Sequence, residues 1–238
     1  MPRRPLRIPL PVVGACLAVG LAVILGGAAP GAALGAPPAR VVSNVPAAGH
    51  VVALTFDDAW DPAATRRLFE ILAAEDVPAT FFPVAVGVEG DPALWREIVA
   101  AGDVVGSHTI DHPDLTALSD ERLVAEIGGA RRAIEAALGE RMAPLLRPPF
   151  GRLDDRVRHV AAAAGYGTLV LWDVASSDWA EPDPSVVAAR SLAGHDGSIV
   201  LLHAGPASTI AALPAIIAGY RARGFALVTV PALLAAAG

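Results

Sequence analysis

Two carboxylates stand side by side in Thr55-Phe56-Asp57-Asp58, directly after an apolar run. Such a pair either does acid-base or metal chemistry or simply caps the helix that follows. Further along, Ser107-His108-Thr109-Ile110-Asp111-His112-Pro113 sets two imidazoles four residues apart. Both can reach one metal ion if the segment makes a helical turn or a compact loop, and the spacing suits zinc. In Arg147-Pro148-Pro149-Phe150-Gly151, two prolines fix the backbone and a glycine releases it, which holds an arginine and a free N–H in defined places. Two Trp/Asp pairs follow, Trp172-Asp173 and Asp178-Trp179, and then an apolar stretch, 199–202, that ends in His203. Taken singly, each cluster also has a structural reading: a helix cap, a rigid loop, a buried histidine at a strand end.

The elements that must carry these clusters are legible from periodicity. Short apolar runs at 51–56, 79–85, 104–106, 144–146, 168–172, 198–203 and 226–230 read as buried strands. Amphipathic segments at 62–75, 92–101, 120–138, 153–164, 184–192, 208–223 and 231–236 read as helices, several opened by proline or a capping side chain. Seven strand-helix units imply a parallel sheet, and their regular alternation favours an α/β barrel over an open doubly wound sheet. Each polar cluster follows a strand, and loops at the C-terminal ends of barrel strands are where such folds assemble active sites.

Composition narrows the chemistry. All 18 basic residues are arginines, which removes lysine Schiff bases and the lysine-dependent P-loop. The single cysteine, Cys16, lies near the N-terminus, so thiol catalysis, thiolate metal sites and disulfides are excluded for the rest of the chain. Arg3, Arg4 and Arg7 precede an uncharged run and then small residues up to Ala36. That order predicts a signal peptide over 1–36, or an uncleaved N-terminal membrane anchor, and so a secreted or otherwise extracytoplasmic protein. A linker is expected at 37–50 and one catalytic domain at 51–238. All 24 acids lie beyond residue 36, where they face fifteen arginines, leaving a net charge of −9 and making nucleic acid an unsuitable partner. A second uncharged stretch between Asp196 and Arg221 contains His203, Pro206 and Pro214 and reads as a strand, a loop and a helix rather than a membrane span.

Together and in this order, the Thr-Phe-Asp-Asp, His-Thr-x-x-His-Pro and Arg-x-Pro-Phe-Gly signatures resemble the polysaccharide deacetylase family, the family 4 carbohydrate esterases built on the NodB homology domain, over about residues 51–230. The resemblance implies a distorted (β/α)7 barrel of the TIM-barrel type. It implies Asp58, His108 and His112 as ligands of a divalent metal, Zn2+ first and Co2+ or another ion as substitutes. Asp57 becomes the general base held by Arg147, and His203 the general acid supported by Asp178. The backbone N–H of Phe150 becomes an oxyanion donor, and Leu201 with Trp179 an acetyl pocket. Trp60 would add a sugar-stacking surface or core packing. The implied reaction is hydrolysis of N-acetyl groups on an extracytoplasmic glycan, peptidoglycan or a chitin-like N-acetylglucosamine polymer. An O-acetyl esterase acting on acetylxylan and a non-catalytic glycan-binding module are the alternatives, and no protein partner is indicated. Two departures stand out. Ala59 and Trp60 replace the usual glycine and its successor after the paired aspartates, and Ala204 replaces the acid that commonly follows the last histidine.

Overall fold

The computed structural model describes residues 37–237, so the segment expected to be a signal peptide or anchor lies outside the described residues. Nine strands and eight α-helices follow: β1 (Arg40–Val42), β2 (Val51–Asp58), α1 (Pro62–Ala74), β3 (Thr80–Pro83), α2 (Ala85–Gly90), α3 (Pro92–Ala100), β4 (Val104–Val105), α4 (Asp120–Leu138), β5 (Leu145–Leu146), α5 (Asp155–Ala163), β6 (Thr168–Val170), β7 (Val174–Ala175), α6 (Pro184–Ser191), β8 (Ser198–His203), α7 (Ala207–Ala222), β9 (Ala226–Leu227) and α8 (Val230–Ala235). The helix starts are written in the sequence: Asp61, Asp91, Ser119, Asp154, Asp183 and Thr229 each accept a backbone N–H of the first turn.

Every strand pairing is parallel, in the orders β4-β3-β2-β8-β7 and β1-β6-β5, with β9 beside the start of β2. A parallel bridge from Ser107 to Leu146 joins the β4 and β5 edges. On the far side, Leu171 N–H donates to Val42 and Asp173 N–H to Ile199 as the chain crosses from β6 to β7. The sheets thereby close into a distorted α/β barrel. Its interior shows the closure: Ala53, Phe82, Leu145, Val170 and Ile199, one from each of five strands, pack with Val230 and Leu233 of α8. The larger core lies outside this ring, between the strands and the helices.

The architecture matches the expected barrel, with local corrections. Arg40–Val42, inside the expected linker, is a strand paired residue for residue with β6, and the Arg40 side chain donates to Thr168 Oγ1 at 2.9 Å. Three residues offer too little periodicity to announce a strand whose partner is 128 positions away. The expected strand at 79–85 stops at Pro83, and six-residue α2 begins two residues later. Short β7 was also unforeseen. No helix among the described residues is long and apolar enough to cross a membrane.

Candidate active site

Along β2, alternation puts Thr55 and Asp57 on one face, above the barrel interior. The fully buried Arg147, from the end of β5, occupies that space. Its Nη1 donates to Asp57 Oδ1 at 2.7 Å and Thr55 Oγ1 at 2.8 Å, Nε donates to Val170 O and Nη2 to Leu171 O. The guanidinium lies over the Phe82 ring at 4.3 Å, with Trp172 at 5.7 Å. Burial pulls the Arg147 pKa down and Asp57 opposes it, so the pair is held inside the protein by mutual dependence. Removing either partner would strand the other's charge, typically at a cost of about 3–5 kcal/mol.

Adjacent strand residues point to opposite faces, yet the Asp57 and Asp58 carboxylates converge on His108. Its Nε2 lies 3.7 Å from Asp57 Oδ2 and 3.7 Å from Asp58 Oδ1. The backbone makes this geometry available by turning left-handed at Asp58 (φ 72°) and Ala59 (φ 61°). That conformation explains the family's glycine after the aspartates: alanine here takes a turn that costs L-residues about 1–2 kcal/mol. Gly87 in α2 makes the turn possible, because a Cβ there would sit 2.4 Å from the Ala59 carbonyl oxygen.

His112 Nε2 lies 3.8 Å from the same Asp58 Oδ1. One ligand atom from each of Asp58, His108 and His112 falls within a 4.8 Å cluster. Asp58 Oδ1 is buried and has no hydrogen-bond partner, an acceptor left open toward the two imidazoles. His108 Nδ1 donates to the Arg147 carbonyl at 2.7 Å, which fixes the tautomer and leaves Nε2 as a lone pair facing Asp58. Burial lowers the His108 pKa against the raising pull of both aspartates, favouring the neutral ring a metal requires. The donor set, two nitrogens and one oxygen, fits a divalent ion.

His203 ends β8 in register with Asp57 across the β2–β8 ladder. Its Nδ1 donates to Asp178 Oδ1 at 2.7 Å and its backbone N–H to Asp178 Oδ2 at 2.8 Å, while Thr209 Oγ1 also donates to that carboxylate. For His203, desolvation is the largest single influence and lowers the pKa. The Asp178 hydrogen bond and charge, with Asp57 and Asp58 beyond, outweigh it and raise the pKa overall. Asp178 responds in kind: burial raises its pKa, but His203 and Thr209 bring it below the usual carboxylate range.

Phe150 adopts φ 59°, unusual for a bulky residue, and its ring stands 59% exposed, edge-on to His112 at 4.5 Å. Its N–H belongs to the first turn of a one-turn 3-10 helix, Pro149–Gly151, where no intrahelical acceptor is in reach. Leu201 lies one pleat below His203 on β8 and is buried. Trp179 is 72% exposed and forms a rim rather than the wall of a closed pocket. With Asp178, Glu181, Pro206 and Ser208 it lines an open cleft of about 430 Å3. Trp60, half exposed at the same end of the barrel, is not core packing. Asp111 is exposed, as expected of a loop residue. Trp172-Asp173 splits: Trp172 backs Arg147, whereas Asp173 accepts from Ser198 Oγ and Ile199 N–H at the opposite end of β8. Sequence reasoning gave no role to Thr55, which accepts from Arg147, to Gly87 against the Ala59 turn, or to Thr209, which donates to Asp178. Only Thr55, within the first signature, was visible there.

These clusters bring Asp58, His108 and His112, a triad that could hold a metal ion, beside Asp57 and His203, each held by its own buried partner. The profile of the family described as polysaccharide deacetylase matches residues 44–169. The chain is 34% identical to a peptidoglycan-N-acetylglucosamine deacetylase of Bacillus cereus, covering 83% of this chain and 94% of that protein. It is 36% identical to a chitooligosaccharide deacetylase of Sinorhizobium fredii, covering 76% and 90%. A mutant, with restored enzymatic activity, of a CE4 family pseudoenzyme from Bacillus anthracis superposes with a TM-score of 0.77 at 33% identity, over 84% of this chain and 72% of that one. The chain belongs to the polysaccharide deacetylase family and is an enzyme of that class.

Proposed function

We propose that the protein is a zinc-dependent N-deacetylase of an extracytoplasmic N-acetylglucosamine polymer, with peptidoglycan ahead of chitin-like chains. One observation carries this reading: Asp57 and His203 sit in register on neighbouring strands beside the Asp58, His108 and His112 cluster, and each has its own buried orienting partner. A divalent ion held by Asp58, His108 and His112 would supply water of lowered pKa and polarise the acetyl carbonyl. Asp57, fixed by Arg147, takes the proton from the attacking water. The Phe150 N–H donates to the oxygen that gains charge as the carbonyl becomes tetrahedral. His203 protonates the departing amine through Nε2, and Asp178 stabilises the ring while it is charged. Leu201 receives the acetyl methyl, and the exposed Trp179 and Trp60 offer faces for sugar rings. The peptidoglycan deacetylase relative and the charge pattern of the first 36 residues support action outside the cytoplasm.

A glycan-binding module is the second reading to exclude, since the fold includes a pseudoenzyme. The retained base and acid, each with its orienting partner, argue for turnover. Acetate release from defined N-acetylated peptidoglycan and chitooligosaccharides, beside O-acetylated xylan, tests the proposal. Release from the first two, abolished by a chelator and restored by Zn2+, is expected. Release from xylan alone would make the protein an O-acetyl esterase, and binding without release would make it a module. The two aspartates separate further: Asp57→Asn should keep about one ion per chain but lose turnover, whereas Asp58→Ala should lose the ion as well. Equal metal loss in both would overturn the assignment of the pair.

A further inference from the structure

Helix α4 buries Leu123, Ile127, Ala130, Ile134 and Leu138 along one stripe, and Glu126 lies on that same stripe, only 7% exposed. A carboxylate at a core position is costly unless it is hydrogen-bonded. Glu126 Oε1 accepts from the N–H of Ile110 at 2.6 Å and from that of Asp111 at 3.4 Å, both in the loop between His108 and His112. The other donors of that loop are satisfied elsewhere. Ser107 N–H goes to Leu145, His108 N–H to Pro83, Thr109 N–H to Ser107 Oγ, and His112 N–H to Thr109 Oγ1. Of the three N–H groups lying between the histidines, two, those of Ile110 and Asp111, therefore depend on a side chain from a different element. One turn along α4, Gly129 leaves space for Ile110: a Cβ there would come within 2.9 Å of Ile110 Cδ1. Ile110 is thus gripped by α4 through both main chain and side chain.

We propose that Glu126 is a positioning residue for the metal site, holding the backbone between His108 and His112 so that their Nε2 atoms stay convergent on Asp58. The loop needs such a hold, because Thr109 (φ 75°) and His112 (φ 68°) both sit in the left-handed region, where a free chain would not remain. A carboxylate suits the task better than a neutral acceptor, since a charged acceptor binds two N–H groups more strongly.

This inference rests on the metal reading of the triad, and the experiment separates the two. Metal-free protein is titrated with Zn2+ against a chromophoric chelator, with Co2+ absorption spectra and apo-protein melting recorded in parallel. If the wild-type protein binds no ion, the metal reading fails. If it binds one, Glu126→Met, which suits an apolar helix stripe but accepts no hydrogen bond, should weaken Zn2+ binding by about 10- to 100-fold and alter the Co2+ spectrum. Its apo melting temperature should stay near wild type, and Glu126→Gln, which keeps an acceptor, should recover most of the affinity. Wild-type affinity in a folded Glu126→Met protein would overturn the proposal. So would equal weakening in the Met and Gln proteins in step with a loss of apo stability. Should the Met protein fail to fold, Glu126→Asp, one methylene shorter, decides: about 10-fold weaker binding supports the role and unchanged binding overturns it.

Discussion

Two histidine-aspartate pairs stand at opposite ends of the barrel, made of the same groups at nearly the same distance. At the C-terminal rim, His203 Nδ1 meets Asp178 at 2.7 Å in a setting where Asp178 is fully buried. At the N-terminal rim, His50 Nδ1 meets Asp196 at 2.8 Å with both side chains more than half exposed. The His50 ring also uses its second nitrogen, which faces the Arg223 carbonyl at 2.9 Å, and it stacks on Phe225 at 3.7 Å. Two acceptors facing two ring nitrogens favour the doubly protonated ring, and the Arg223 carbonyl, then Asp196, raise the His50 pKa. Among the described residues, His203 Nε2 has no hydrogen-bond partner. One pair uses both ring nitrogens in joining surface segments, while the other leaves Nε2 open, as the proposed acid role of His203 requires. Raised basicity alone is therefore no mark of a catalytic histidine. The proposed acid role of His203 rests instead on its open second nitrogen, beside Asp57 and the cluster of Asp58, His108 and His112.

The largest effect is expected from His203→Ala. An amine cannot leave as an anion, whereas an aryl acetate expels a phenolate without help. Turnover of N-acetylated sugars should fall on the order of 10²-fold or more, turnover of aryl acetates much less, and metal content should not change. An equal fall on both substrates with the metal retained would make His203 a shaping residue rather than a proton donor.

A smaller effect is expected from Asp103, next to β4 on the N-terminal side. Its carboxylate accepts the Ala79 N–H at 2.7 Å, yet burial raises its pKa from 3.8 to about 6. With a raised folded-state pKa, its favourable contribution is complete below pH 3.8 and is lost as pH rises through about 6. Asp103→Asn keeps a carbonyl acceptor without the charge. It should raise the melting temperature by a few degrees at pH 8 and leave it near wild type at pH 4. No gain at pH 8 would show that the carboxylate is better solvated than its burial implies.

The smallest effect belongs to His50. Because its pKa is raised, its pairing stabilises fully below pH 6.5 and fades as pH climbs past the shifted value. His50→Gln should therefore lower stability slightly at pH 5.5, with the difference closing by pH 9 and the deacetylation kinetics unchanged. A deficit independent of pH would mean that stacking on Phe225, not the proton, is what His50 contributes.

Most of the candidate site was readable before the fold because its residues come in short local clusters: a Thr-Phe-Asp-Asp run, a histidine pair and an Arg-Pro-Pro loop advertise themselves over a few positions. Arg147 and Asp178 were named through the family resemblance, whereas Thr209 and Glu126 were not readable, since each reaches its client from far along the chain. Thr209 lies 31 positions from Asp178 and Glu126 lies 16 from Ile110. In the sequence, Glu126 looks like one more acid on a charged helix. Only its place on the buried stripe gives it meaning. Strand β1 was hidden for the same reason, its apolar signal being two valines long.

By itself, the sequence determined the alternation of strands and helices, the helix caps, the absence of lysine and of thiol chemistry past residue 36, and the residue types at the strand ends. Those features follow from local propensity, periodicity and side-chain chemistry, which act over one turn or one pleat. Tertiary structure decided which carboxylate faces which partner. Asp57 and Asp58 are chemically identical neighbours. One is held by a buried arginine inside the barrel, and the other is turned by a left-handed backbone, against a helix that must present glycine, toward two imidazoles. No spacing rule assigns those roles, because they depend on burial and on backbone angles that exist only once the barrel has closed.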